Sequence, residues 1–143
     1  MEILRATKTW QQAAAHYVRV QAMVKGFNIP LDKEFDEHDG PDTEYVVVLD
    51  ENFPVAACRL FDVDNETAKI ERVVVLEEYR KKGTGRFLIE GAEEWLREKN
   101  YKKIIITSRD EAVGFYEKLG YVPDYNRVDK GGIFTCIYTE KIL

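Results

Sequence analysis

Apolar positions along this chain change their spacing several times, and each change marks a predicted element. Residues 2–7 alternate briefly and read as a short strand. Thr9-Trp10-Gln11-Gln12 fits a capping box, with the Thr9 hydroxyl and the Gln12 side chain closing a first helical turn. Trp10, Ala13, Tyr17, Val20 and Val24 then recur at helical spacing to about residue 25, where Gly26 is expected to stop the helix. Pro30 breaks the chain, residues 31–35 can add one helical turn, and Gly40-Pro41 marks a loop.

Period-two patterning follows. Residues 44–49 and 55–63 flank Asp50-Glu51-Asn52-Phe53-Pro54 as a hairpin, and Asp64-Asn65-Glu66-Thr67 turns the chain into a strand over 68–76. Beyond it, Phe87, Leu88, Gly91, Ala92, Trp95 and Leu96 put an apolar stripe on a helix ending near Asn100. Ile104-Ile105-Ile106 is a continuous β-branched run of the buried-strand type. Ser108-Arg109-Asp110-Glu111 is a second capping box, opening a helix with Ala112, Phe115, Tyr116 and Leu119 on one face and Gly120 as its C-cap. Residues 121–128 and 133–143 read as strands around Asp129-Lys130-Gly131-Gly132. The order β-α-α-β-β-β-α-β-α-β-β, with one strand–helix–strand crossover, predicts a mixed α+β sheet covered by helices on both faces.

Composition narrows the class. With 143 residues, 45% hydrophobic and 33% charged, the chain is expected to form one soluble globular domain, 1–143. No apolar run approaches the roughly 20 residues that cross a bilayer, and the start lacks a secretory layout. Membrane partners are therefore not expected. Cys58 and Cys136 sit far apart in strand-like runs and read as reduced thiols of a cytoplasmic protein. A net charge of −5 argues against non-specific nucleic-acid binding. Two isolated histidines and two isolated cysteines make no metal-ligand set, so no metal is expected. Charge is unevenly spread: residues 32–44 are dense in carboxylates, whereas residues 80–86 are basic.

The stretch Val73-Val74-Val75-Leu76-Glu77-Glu78-Tyr79-Arg80-Lys81-Lys82-Gly83-Thr84-Gly85-Arg86 carries the chemistry. A β-branched strand stops, a basic turn follows, and Gly83-x-Gly85 opens a helix. Amides and the positive dipole end of a new helix then face an anion. A Rossmann-type nucleotide site fits poorly, because the turn lacks a third Gly and an antiparallel meander precedes it.

This turn resembles the acetyl-coenzyme A signature of the GNAT superfamily of N-acetyltransferases. Ala112-Val113-Gly114-Phe115-Tyr116-Glu117-Lys118-Leu119-Gly120-Tyr121 resembles a second block of that family, and its separation from the first is as the family has it. Upstream, Val18-Arg19, Val24, Asn28-Ile29-Pro30 and Glu34-Phe35-Asp36-Glu37-His38-Asp39 resemble the ElaA-like bacterial branch. The resemblance implies a central mixed, mostly antiparallel sheet. It implies acetyl-CoA as co-substrate, a small-molecule or protein amine as acceptor, and a possible homodimer. It puts the cofactor against Val73, Val74 and Val75, against Arg80, Lys81, Lys82, Gly83, Thr84, Gly85 and Arg86, and beside Phe115. A backbone N–H near Val74 or Val75 would bind the oxyanion.

Acetyl transfer to an amine also needs an acid and a base. Tyr116 is the candidate acid for the departing thiolate, its alternative being a core aromatic packed with Phe115. Glu71 would share a strand face with Val73 and Val75 and could take the amine's proton, directly or through water. Its alternative is an ion pair on the sheet surface. His16 and His38 are further bases in principle, although His16 reads as a packing residue and His38 as a loop residue. Arg19, Glu34, Asp36 and Asp39 could line the acceptor side, with Arg19 pairing with these carboxylates, or a buried Arg19 could brace the loop through Asp36. No cysteine is placed for a covalent intermediate, so transfer is expected within a ternary complex. A non-catalytic acyl-CoA-binding sensor would keep the glycine turn without needing Tyr116 or Glu71.

Overall fold

The computed structural model describes all 143 residues. Elements follow in the order β1 (Glu2–Ala6), α1 (Thr9–Arg19), a π-helical segment (Val20–Lys25), α2 (Leu31–Glu34), β2 (Tyr45–Asp50), β3 (Phe53–Asp62), β4 (Thr67–Val75), α3 (Thr84–Glu98), β5 (Lys103–Arg109), α4 (Val113–Lys118), β6 (Val122–Asp129) and β7 (Cys136–Ile142). The seven strands hydrogen-bond in the order β1-β2-β3-β4-β5-β7-β6. This is the mixed, mostly antiparallel sheet that the family resemblance implies. Two compact units share it: Met1–Phe61 with Ile70–Trp95, and Asp62–Lys69 with Leu96–Leu143.

In the first unit β1 runs antiparallel to β2, from Glu2↔Leu49 to Ala6↔Tyr45. β2 runs antiparallel to β3 with an irregularity between Val48 and Leu49. Tyr45, Val46, Val47 and Val48 are wholly buried, because both faces of β2 are covered. α3 lies on the Ile3 side: a Cβ on Gly91 would sit 2.7 Å from Ile3 Cδ1, so only glycine lets this helix approach the sheet so closely. Arg5, on the same face as Ile3, reaches over the Trp95 ring of α3. α1 lies on the opposite face, where the His16 ring meets Tyr45 edge-on at 5.2 Å.

The second unit begins with a parallel pairing, Thr67↔Lys103 to Lys69↔Ile105. β5 pairs antiparallel with β7 along its whole length, and β7 with β6.

Several expectations need correction. The predicted apolar stripe of α1 faces outward: Trp10 is 63% and Tyr17 38% exposed, while Gln12, Ala15, Val18 and Arg19 turn inward. Polar side chains point into this core because they find partners there. The Gln12 amide donates to the carbonyls of Gly40, Pro41 and Thr43 at 3.3, 3.1 and 2.8 Å. The first capping residue is Lys8, not Thr9, and Gln11 rather than Gln12 accepts from the Thr7 and Lys8 amides. Gly26 does not end the helix: its φ is −73°, and Asn28 (φ 56°) is the left-handed residue. The predicted box at Ser108 is absent too. Ser108 Oγ bonds the Arg109 carbonyl, Asp110 Oδ1 accepts from the Glu111 amide, and α4 begins at Val113. β7 starts at Cys136 rather than 133. Both cysteines are free thiols, as expected, and burial pushes the Cys58 thiol up to about 12.

Candidate active site

The glycine turn forms as the residue pattern requires. Lys81 (φ 60°) and Gly83 (φ 84°) both adopt left-handed backbone, reversing the chain between β4 and α3. Phe87 N–H makes the first helical bond of α3, to Gly83 O at 3.0 Å. The amides of Thr84, Gly85 and Arg86 therefore precede the ladder at the positive end of a 15-residue helix. Thr84 is buried, its hydroxyl towards Met1 Sδ, while Arg80, Lys81, Lys82, Gly83 and Arg86 are exposed. Arg86 leans on Glu90 at 3.3 Å and Arg80 Nε donates to Val75 O at 3.0 Å, so two of the expected phosphate cations start out engaged.

A cleft of about 540 Å³ opens beside this turn. Leu76, Glu78 and Arg80 line one side, and Gln21, Lys25 and Phe27 line the other. Sequence patterning missed this second wall, because the π-helical segment Val20–Lys25 follows from no residue spacing; such segments cluster at functional sites.

On β4 itself, Arg72 has a φ of 52°. A left-handed residue inside a strand interrupts strict alternation, so a shared face for Glu71, Val73 and Val75 no longer follows from parity. What the structure shows for Glu71 is a cross-strand pair with Arg59 of β3, which donates to Oε2 from Nε at 3.1 Å and also from Nη2.

That pair belongs to a larger network. Arg19, fully buried, donates through Nε to Glu34 Oε2 at 3.0 Å and through Nη1 to Asp39 Oδ1 at 2.6 Å. Asp39 also accepts from the Tyr45 hydroxyl at 2.7 Å and lies 2.9 Å from Arg59 Nη1. Arg59 and Arg72 both reach Asp36, at 2.8 and 3.1 Å. Arg19 thus braces the loop as a buried cation, but through Glu34 and Asp39 rather than Asp36, whose carboxylate is 28% exposed and taken by Arg59 and Arg72. Burial raises the Asp36 carboxyl, but hydrogen bonds from Arg59 and the His38 amide outweigh it and hold it below the usual carboxylate range. Burial likewise lowers Arg59, but bonds to Glu71 and Asp36 raise it on balance. Asp39 was among the sequence-based candidates, but Arg59 and Tyr45 were not, since nothing in their spacing marks them as partners.

The histidines separate. His16 packs edge-on between Phe35 and Tyr45, and burial followed by the Arg19 charge lowers it, which is the packing role expected. His38 stacks on Phe61 with centroids 4.2 Å apart, and its Nδ1 lies 3.7 Å from Glu71 Oε2.

In the second unit, Tyr116 of α4 is buried, its ring edge-on to Phe115 and Tyr121. Phe115 is 37% exposed, so the two aromatics do not share one buried face as expected. α4 closes at Gly120, whose amide bonds Glu117 O while the Tyr121 amide bonds Tyr116 O.

Comparison with known proteins supplies the last observations. The sequence profile of the acetyltransferase (GNAT) family matches residues 6–121. The protein YyaT of Bacillus subtilis is 32% identical over 144 residues, covering 99% of this chain and 97% of its own. Escherichia coli ElaA superposes with a TM-score of 0.83 at 20% identity, covering 99% of each chain. A GNAT family acetyltransferase of Elizabethkingia anophelis, crystallised with acetyl-CoA bound, superposes with a TM-score of 0.60 at 22% identity over 71% of this chain and 76% of its own.

Proposed function

Because this chain belongs to the acetyltransferase (GNAT) family, we propose that it moves an acetyl group from acetyl-CoA to a primary amine by direct transfer in a ternary complex. One observation carries the reading: a left-handed glycine elbow opens α3 so that three amides precede its ladder, beside exposed basic side chains. Here the diphosphate accepts from those amides and from Lys81 and Lys82. The pantetheine arm pairs along β4 at Val73 and Val75. Arg80 releases the Val75 carbonyl and turns to the phosphates. A β4 amide near Val74 or Val75 holds the oxyanion.

The amine gives up its proton to a base at the acceptor side, its nitrogen attacks the carbonyl carbon, the C–S bond breaks, and Tyr116 protonates the thiolate. The Tyr116 role rests on the sequence motif. Asp36 offers an exposed carboxylate to an ammonium-bearing acceptor.

A non-catalytic acyl-CoA sensor is the second reading, favoured by one feature: Tyr116 is buried among aromatics like a packing residue. Thiol release from acetyl-CoA in the presence of an amine panel separates the two, since a sensor binds without release. Gly83→Glu should abolish the calorimetric heat of CoA binding. Tyr116→Phe should lower kcat about 100-fold, with little change in KM for acetyl-CoA. Unchanged turnover would remove Tyr116 as the acid.

A further inference from the structure

Resting on the acetyl-transfer reading above, we infer that His38 is the group that takes the proton from the acceptor amine, with Glu71 and Phe61 as positioning residues for its ring. The loop holds this residue firmly. Its amide donates to Asp36 Oδ1 at 2.9 Å, and its carbonyl accepts from Thr43 Oγ1 at 2.5 Å. The imidazole lies flat on Phe61 of β3, with the ring planes 15° apart. Stacking fixes the plane, and Glu71 on β4 fixes the edge that faces inward. At 3.7 Å the Nδ1–Oε2 contact is electrostatic rather than a hydrogen bond. Ligand-free catalytic pairs are commonly this loose and tighten on binding.

With its proton on Nδ1 towards Glu71, the ring carries its lone pair on Nε2. That nitrogen points outward, 4.0 Å from Glu37, whose side chain is 87% exposed. His38 itself is 35% exposed, against 5% for Asp39 and 3% for Arg59. The ring thus stands where the buried charge network meets solvent, and it contacts the strand that runs on into Val73 and Val75. The charged groups around it are Glu71 from β4, bonded in turn to Arg59 of β3, and from its own loop Glu37 and Asp36, the latter bonded in turn to Arg72.

Why His38 rather than Glu71 follows from what protonation would break. Glu71 Oε2 already receives two bonds from Arg59, a guanidinium shut away from water. A proton on Glu71 would neutralise the carboxylate that accepts both bonds and leave Arg59 to Asp36 and Asp39 alone. A proton on His38 breaks no existing bond, and the resulting imidazolium faces the Glu71 carboxylate. In the step, the ammonium N–H electron pair stays on nitrogen while the proton passes to His38 Nε2. The amine then forms the C–N bond, the C–S bond breaks, Tyr116 or water protonates the thiolate and is restored by the second proton that the nitrogen sheds, and His38 returns its proton to water.

The test uses the full chain with acetyl-CoA and a reactive amine, followed by thiol release across pH. His38→Gln should cut kcat/KM for the amine about 100-fold at neutral pH, leave KM for acetyl-CoA within about twofold, and remove the acidic limb of the profile. In the wild type, nitrogen-15 imidazole spectra should place the proton on Nδ1, and His38 should titrate at the midpoint of that limb. Glu71→Gln should move both midpoints down together, because a carboxylate that favours the imidazolium is lost. His38→Gln turning over within threefold of wild type with the limb intact, or a His38 titration unconnected to the limb, overturns the base assignment and leaves acetyl transfer standing. No thiol release by wild type with any amine removes the acetyl-transfer reading and this inference with it.

Discussion

Asp39 holds two buried guanidiniums at once, and its chemistry sets how this region responds to acid. Burial by itself raises the carboxyl, but hydrogen bonds from Arg19, the Tyr45 hydroxyl and the Asp36 amide outweigh it and hold Asp39 well below the usual range. Its folded value lies beneath the unfolded value of about 4. The stabilisation is therefore complete above about pH 4 and is lost as pH falls towards the folded value. Asp39→Asn should cost about 3 kcal/mol in urea unfolding at pH 7, because Arg19 and Arg59 lose their shared counter-charge. The gap from wild type should narrow as pH drops below 4. A gap that stays constant from pH 7 to pH 3 would show that Asp39 is not the acid-sensitive link.

At the scale of elements, α1 shows that periodicity alone does not choose the buried face. Trp10 and Tyr17 form a regular apolar stripe yet stay outside, while Gln12 and Arg19 go in because carbonyls and carboxylates await them. Gln12→Ala should cost about 2 kcal/mol, since it strips partners from part-buried carbonyls. Trp10→Ala should stay within about 0.5 kcal/mol. Thermal melts of the two variants test the orientation, and a larger loss for Trp10→Ala would reverse it.

Over the whole molecule, the net charge of −5 and the basic elbow act in opposite directions on an anionic cofactor. Lys81 and Lys82 are exposed, so their pull on a diphosphate is open to screening, over about 10 Å at 0.1 M salt and about 3 Å at 1 M. CoA affinity should weaken several-fold between those concentrations. The double change Lys81→Gln with Lys82→Gln should flatten that dependence, and calorimetry at two salt concentrations reads it directly. A salt slope unchanged in the double variant would assign the attraction to the helix amides alone.

Element order, the elbow and the α4 block were legible in the residues because each is local: a hydrophobic period, or a glycine where the backbone turns left-handed. Gly83 fulfils that expectation with its φ of 84°. What stayed hidden depends on residues far apart in sequence. Arg59 meets Asp36 across 23 positions, and Arg72 meets Asp36 across 36. No spacing rule reaches that far, so the inward face of α1, the π-helical wall of the cleft, the left-handed turn at Arg72 and the His38–Glu71 contact were set only when the strands came together. Local periodicity wrote the elements. Burial, which forces every charge to find a partner, decided which way they face.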